Sequence, residues 1–200
     1  MPRKYFDKEL NYLNQRMTVM GDAINKRIEQ SIQALRTGNL ELAEDVALSD
    51  SDIDRMEHEN EKLCMNLIAS QQPIASDLRS ITACLKILTD MEREADQCAD
   101  ICEILATSGM VDFQSLPVTH IVNTMEKVHQ MFHSAMDVFL SHDVEQARKI
   151  CAEDDIVDAS FGKIVLEVCN AITQNPENVM RDVDLLFIIK YVERLSLIHI

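Results

Sequence analysis

The sequence predicts an all-α protein arranged as two tandem three-helix bundles, and three observations carry that prediction. The first is composition. Gly and Pro number only four each and Trp is absent, while Ala, Leu, Met, Glu, Asp and Ile are plentiful, a mixture that suits long helices and few turns. The second is sparse, regular punctuation, at Gly38-Asn39, at Pro73, between Gly109 and Pro117, near His142-Asp143 and near Pro176. The segments between these breaks run roughly 25 to 35 residues, or about 40–50 Å of helix each. The third is an internal repeat. The stretch "SIQALRTGNLELAEDVALSDSDID" from Ser31 aligns without a gap with "AMDVFLSHDVEQARKICAEDDIVD" from Ala135.

Within the repeat, Leu35 matches Phe139, Asn39 matches Asp143, Asp50 matches Asp154 and Asp54 matches Asp158, at an offset of 104. The offset slips to 103 at Pro73 and Pro176, then to 101 where "KILTDMER" meets "FIIKYVER" and Glu92 pairs with Glu193. Residues 1–109 therefore read as the first three-helix unit, 110–116 as a linker, and 117–200 as a second unit whose last helix is incomplete. The first helix carries Met17 and Met20 as core side chains, and the fourth carries Met125, Met131 and Met136. The second helix presents a stripe of Ile53, Met56, Leu63, Cys64 and Leu67. The third presents Leu88, Met91, Ala95, Cys98, Ala99, Cys102 and Leu105. The fifth opens after Asp143, and the sixth carries "FIIKYVER". A coiled-coil rod would need unbroken heptads and no proline breaks, so a compact up-down-up bundle is expected for each unit.

Two hundred residues with 46% apolar content support a sizeable core. A formal charge of −15 disfavours nucleic acid and anionic membrane as partners, since both would repel it. It suits a cation, a basic protein surface or simple solubility. The N-terminus lacks an apolar signal region and no long uncharged apolar run follows, so a soluble cytoplasmic protein without membrane insertion is expected. The six cysteines sit in helical apolar patterns without a paired CxxC, which favours reduced core thiols over a zinc ribbon or disulfide scaffold. No Gly-rich phosphate loop occurs, and no direct nucleotide binding is expected.

The stretch "DMEREADQCAD" crowds five acids into eleven residues of a helix that must also bury a face. At about 100° per residue, Glu92, Asp96, Asp100 and Glu103 fall in one arc of roughly 80° beside the apolar stripe. Asp90 and Glu94 point to the far side and read as solvated. The preceding helix repeats the device, with Asp50 and Asp54 one turn apart, continued by Glu57 and Glu61. If the two seams face each other, Asp50, Asp54, Glu92 and Asp96 converge. Like charges so close raise one another's pKa or hold a cation between them. Hard oxygen ligands without clustered His suit iron, manganese, magnesium or calcium better than zinc alone. A solvated acidic face is the plain competing reading. The repeat favours the metal reading, because Asp154, Asp158 and Glu193 recreate the pattern in the second unit.

These residues also resemble a known family. "QQPIASDLRSITACLKI", Gln71 to Ile87, is similar to the QQP-x-x-x-DLR segment of the PhoU family, cytoplasmic regulators of phosphate uptake. "MEREADQCADICE" and "YVERL" resemble the family's LERIGD…NI-E motif, while "DSDID" and "DDIVD" resemble its acidic helix starts. The resemblance covers nearly the whole chain in order. It implies two three-helix bundles, a homodimer and no enzymatic activity. It also implies a negative regulator linking the phosphate ABC transporter, through its ATPase, to the phosphate-sensing histidine kinase. Some members hold multinuclear iron or zinc through paired E/D-x-x-x-D motifs. Carried over residue by residue, these fall on Asp50, Asp54, Glu92 and Asp96, then on Asp154, Asp158 and Glu193.

Two departures bear on the site. Glu94-Ala95 stands where the family has Ile-Gly, and Leu197 stands where an Asp is expected four residues after Glu193. The ending "LSLIHI" resembles translated adapter read-through, and a truncated last helix is expected, so a complete site belongs in the first unit. A ferritin-like di-metal oxidase would need two Glu-x-x-His pairs. Only Glu126 with His129 fits, and His129 with His133 reads as a partly exposed face. A metal-free docking bundle is the remaining alternative.

Overall fold

The computed structural model describes residues 2–49, 51–108 and 112–197. Among them lie seven α-helices: α1 Pro2–Thr37, α2 Leu40–Leu48, α3 Ser51–Gln71, α4 Ala75–Thr107, α5 Leu116–Ser141, α6 Val144–Gln174 and α7 Val179–Leu197, with a 3₁₀ turn at Pro176–Asn178 before the last. No strand occurs among the described residues. The all-α expectation is met, and α1 to α4 followed by α5 to α7 form two like units.

The first turn of each unit shows why the repeat reads so clearly. Gly38 lies in the left-handed region at φ 68°, and His142, its counterpart, at φ 57°. Asn39 and Asp143 then cap the next helix from the same extended conformation. Asn39 accepts from the Leu42 amide, and Asp143 from the amides of Glu145 and Gln146. Gly38 is held to glycine by more than its dihedral, because a Cβ there would meet the Phe113 ring at 2.5 Å. That contact lays the turn between the units against the turn between α1 and α2.

One difference separates the units. The second helix of the first unit breaks at Ser49, whereas α6 runs unbroken through the matching position. Ser49 Oγ donates to the Val46 carbonyl, the local competition with the backbone that weakens helices at serine. Arg27, buried on α1, donates to the Ser49 carbonyl and, at 3.1 Å, to Ser49 Oγ. The break is thus stapled to α1 by a charged donor.

Burial follows the predicted stripes. Leu13, Met17, Met20, Ile24, Ile28 and Leu35 of α1 are fully buried, as is Met125, and Met131 is nearly so. α4 packs against α1, α2 and α3 and also against α7, while α1 packs against α5. The two units share one continuous apolar cluster. Four of the six cysteines, Cys64, Cys84, Cys98 and Cys102, are buried, but Cys151 and Cys169 are exposed, contrary to the expectation for those two. Both lie on α6, where the apolar pattern is wider than the face that is covered. Burial pushes the thiol of Cys64 up to about 12 and that of Cys84 up to about 11.

Two outcomes follow from this packing. Iodoacetamide at pH 8 will modify Cys151 and Cys169 in the native protein and reach the other four only after unfolding, as read by intact and peptide mass spectrometry. Leu88→Ala, at a buried position on the shared helix, will cost about 2–5 kcal/mol in denaturant unfolding.

Candidate metal centre

Asp54 and Glu92 stand equally far in sequence on either side of Pro73, whose turn reverses the chain. Two antiparallel helices folded about that turn bring such positions level. Asp96 then follows Glu92 by one helical turn. The structure places one carboxylate oxygen from each of Asp54, Glu92 and Asp96 within 4.8 Å of the others. Asp54 is exposed, and Glu92 and Asp96 are half-buried beside the buried Ile53, Met91 and Ala95. Among the basic side chains of these helices, Arg55 pairs with Asp52 and Glu59, and Arg93 with Asp90.

Glu57 belongs to the same patch. Its carboxyl is held above the ordinary value by partial burial first, then by the charges of Glu61, Glu92 and Asp54. A carboxyl shifted upward in this way registers the local excess of negative charge. Its place on the helix, three residues after Asp54, carried the signal in sequence. Three carboxylates without His make a hard oxygen donor set. It fits a divalent or trivalent cation of the iron, manganese or magnesium kind. Asp54, Glu92 and Asp96 would hold it.

The other expected ligands divide. Asp50 lies outside the described residues. Asp154, Asp158 and Glu193 do not come together, and among the described residues no second set of three such groups forms. Asp154 is buried and Asp158 exposed. Glu193 accepts from Lys190 Nζ at 2.5 Å. The physical reason is the departure at Leu197: without a carboxylate one turn on, Glu193 is left to the nearest cation on its own helix. Glu94 also corrects the sequence reading. It is fully buried rather than solvated, and burial raises its carboxyl well above the ordinary range. The helical wheel assigned its side to solvent, but the second unit packs onto α4 from there. The oxidase reading fares no better, since Glu126 pairs with Arg36 and His129 lies 3.9 Å from Glu29.

Two like helical units with a carboxylate cluster between adjacent helices of the first define a tandem helical-bundle repeat protein. The chain belongs to the PhoU family: the PhoU domain model matches it twice, over residues 17–105 and 121–196. A homologue from Clostridium acetobutylicum, named a phosphate-specific transport system accessory protein PhoU homolog, is 33% identical over 98% of this chain and 90% of its own length. One from Aquifex aeolicus, of the same name, is 31% identical over 94% of this chain and 84% of its own. Crystal structures of PhoU from Pseudomonas aeruginosa and of the phosphate transport system regulatory protein PhoU from Streptococcus pneumoniae superimpose with TM-scores of 0.88 and 0.89. Each covers 97% of this chain, 93% and 91% of their own chains being matched, at 24% and 23% identity. They establish the fold. The family is one of accessory proteins rather than enzymes.

The cluster predicts a pH effect in chelator-treated protein. Glu57 is held above the 4.5 of its unfolded form. It therefore favours the fold below that value and disfavours it as pH rises and the folded-state proton leaves. Glu92→Gln removes part of the cause. Its Tm at pH 7 and low salt will exceed that of the parent by an amount equivalent to about 0.5–1 kcal/mol, and the difference will shrink in 1 M salt.

Proposed function

We propose that this chain is a cytoplasmic accessory regulator of phosphate uptake. It restrains the phosphate-starvation response by linking the ATPase of the phosphate ABC transporter to the phosphate-sensing histidine kinase, and it acts as a homodimer. The observation that carries the reading is the double PhoU match spread over both units, joined to relatives named accessory proteins of the phosphate-specific transport system that match 94–98% of the chain. The physical character of the molecule supports it. No helix among the described residues is long and apolar enough to cross a membrane, and a formal charge of −15 favours basic protein surfaces over phosphate-rich polymers as partners. Long helices with few loops offer broad side faces for docking.

The carboxylate cluster is proposed to bind a metal in the same protein, iron or zinc as in some members, or manganese or magnesium. Asp54, Glu92 and Asp96 form the centre. A cation there neutralises the mutual repulsion of the acids and ties α3 to α4, so its contribution is to stability and to the shape of the docking face.

Two measurements test this reading. In a bacterium lacking its own PhoU, the chain will restore repression of a phosphate-starvation reporter in high phosphate, and a reporter left fully active would refute the regulatory role. Separately, manganese or ferrous iron at about 100 times the dissociation constant will stabilise the purified chain by about 2.7 kcal/mol. Glu92→Ala and Asp96→Ala will abolish that gain while keeping the helical spectrum. A Tm that ignores every metal tried removes the metal centre and leaves the regulatory test standing.

A further inference from the structure

The break between α2 and α3 stands directly before the first member of the carboxylate cluster. α3 begins at Ser51, and Asp54 ends its first turn. α2 and α3 both pack against α4, and Val46 before the break and Ile53 after it are both buried. The matching α6 passes the same point as one helix. Two differences of sequence accompany this: Arg27 and Ser49 of the first unit correspond to Met131 and Glu153 at the 104 offset. Met131 is buried, as Arg27 is, and Glu153 is exposed.

A helix that stops leaves the carbonyls of its last turn without helical partners, at the negative end of its dipole. Arg27 answers both needs. Its side chain is buried, and Nη2 donates to the carbonyl of Ser49, the C-cap of α2, and at 3.1 Å to Ser49 Oγ. The stretch of α1 that carries Arg27 is also bonded to α4. Ser31, one turn along, donates to the Arg27 carbonyl at 2.9 Å and accepts from Cys102 Sγ at 3.3 Å. Burial pushes the thiols of Cys98 and Cys102 up, and the charge of Arg27 acts on both in the opposite sense. Arg27 therefore joins the break to the turn of α4 that follows Asp96.

We propose that Arg27 is a positioning residue of the carboxylate cluster. By holding the Ser49 break against α1 and α4 it fixes where the first turn of α3 meets α4, and so sets Asp54 level with Glu92 and Asp96. The consequence for a cation rests on the metal reading above, but the placement of Asp54 belongs to the metal-free protein. The three carboxylates offer oxygens within 4.8 Å of one another. A hard cation binds oxygens at about 2.0–2.6 Å, so a displacement of about 1 Å at Asp54 is enough to loosen the site.

The test has two arms. Arg27→Met gives the first unit the residue that the second buries at this point, and exchanging a buried charge for an apolar side chain often leaves stability unchanged. The first arm uses metal-free protein. Cys151→Ser and Cys169→Ser remove the exposed thiols, and Asp54→Cys with Glu92→Cys sets a reactive pair across α3 and α4. Dibromobimane, which fluoresces on bridging two thiols, will bridge this pair about tenfold more slowly once Arg27→Met is added. Arg27→Lys keeps a charged donor, and its bridging rate will stay within about threefold of the parent. A control pair, Arg16→Cys with Glu59→Cys, joins α1 to α3 where the parent side chains meet at 2.5 Å, and its rate will not change.

The second arm adds manganese(II) alone to the natural chain and reads the paramagnetic resonance of the free ion. Arg27→Met will weaken binding about 10–100-fold, the usual effect of losing a group that orients a ligand. An unchanged bridging rate in Arg27→Met overturns the proposal whatever the metal does. Equal slowing of the control pair also overturns it, because that marks general loosening. Slowed bridging with unchanged manganese affinity overturns the link to the cation. Manganese that fails to bind the parent chain counts against the metal reading alone, and the bridging rates still decide the role of Arg27.

Discussion

Leu88, Met91, Ala95 and Cys98 of α4 are buried, with α1, α2 and α3 of its own unit and α7 of the other packed against that helix. The rest of the structure depends on this two-sided burial. A helix covered from one direction needs an apolar stripe about 100° wide. α4 is covered from two, so part of its polar sequence has to enter the interior. Glu94 is the residue that does so. Its burial is a consequence of joining two bundles along a common helix, and burial raises its carboxyl well above the ordinary range.

The same constraint sorts the acids. Those on the edge of α4 that faces α3 stay near solvent and gather with Asp54, close enough to Glu57 for their charge to hold its carboxyl above the ordinary value. Asp90, near the inter-unit groove, is half-buried against an apolar wall. One run of five acids in sequence thus serves three environments: the edge that carries the carboxylate cluster, an interior point and a groove wall. Two of these depend on the neighbour across the helix more than on the run itself.

The repeat also explains where the units differ. Turn geometry is duplicated almost unchanged, with a left-handed residue followed by an Asx cap in each, because a short turn is specified by its own residues. Packing is not duplicated. Asp54, Glu92 and Asp96 gather in the first unit, while Asp154, Asp158 and Glu193 do not gather in the second. A repeat in sequence guarantees like elements but not like neighbours.

Much of this was legible in the amino-acid sequence alone. Helix positions, the repeat, the core methionines and the meeting of Asp54 with Glu92 and Asp96 all follow from periodicity, punctuation and equal spacing about Pro73, which are local properties of the chain. Tertiary structure decided the rest. It buried Glu94, exposed Cys151 and Cys169, opened α2 from α3 at Ser49 under the hold of Arg27, and left Asp154, Asp158 and Glu193 apart. Each of these depends on which helix packs against a given face. A helical wheel reports the angle of a side chain about its own axis and carries no information about what lies opposite, so burial and convergence are settled only when the helices are assembled.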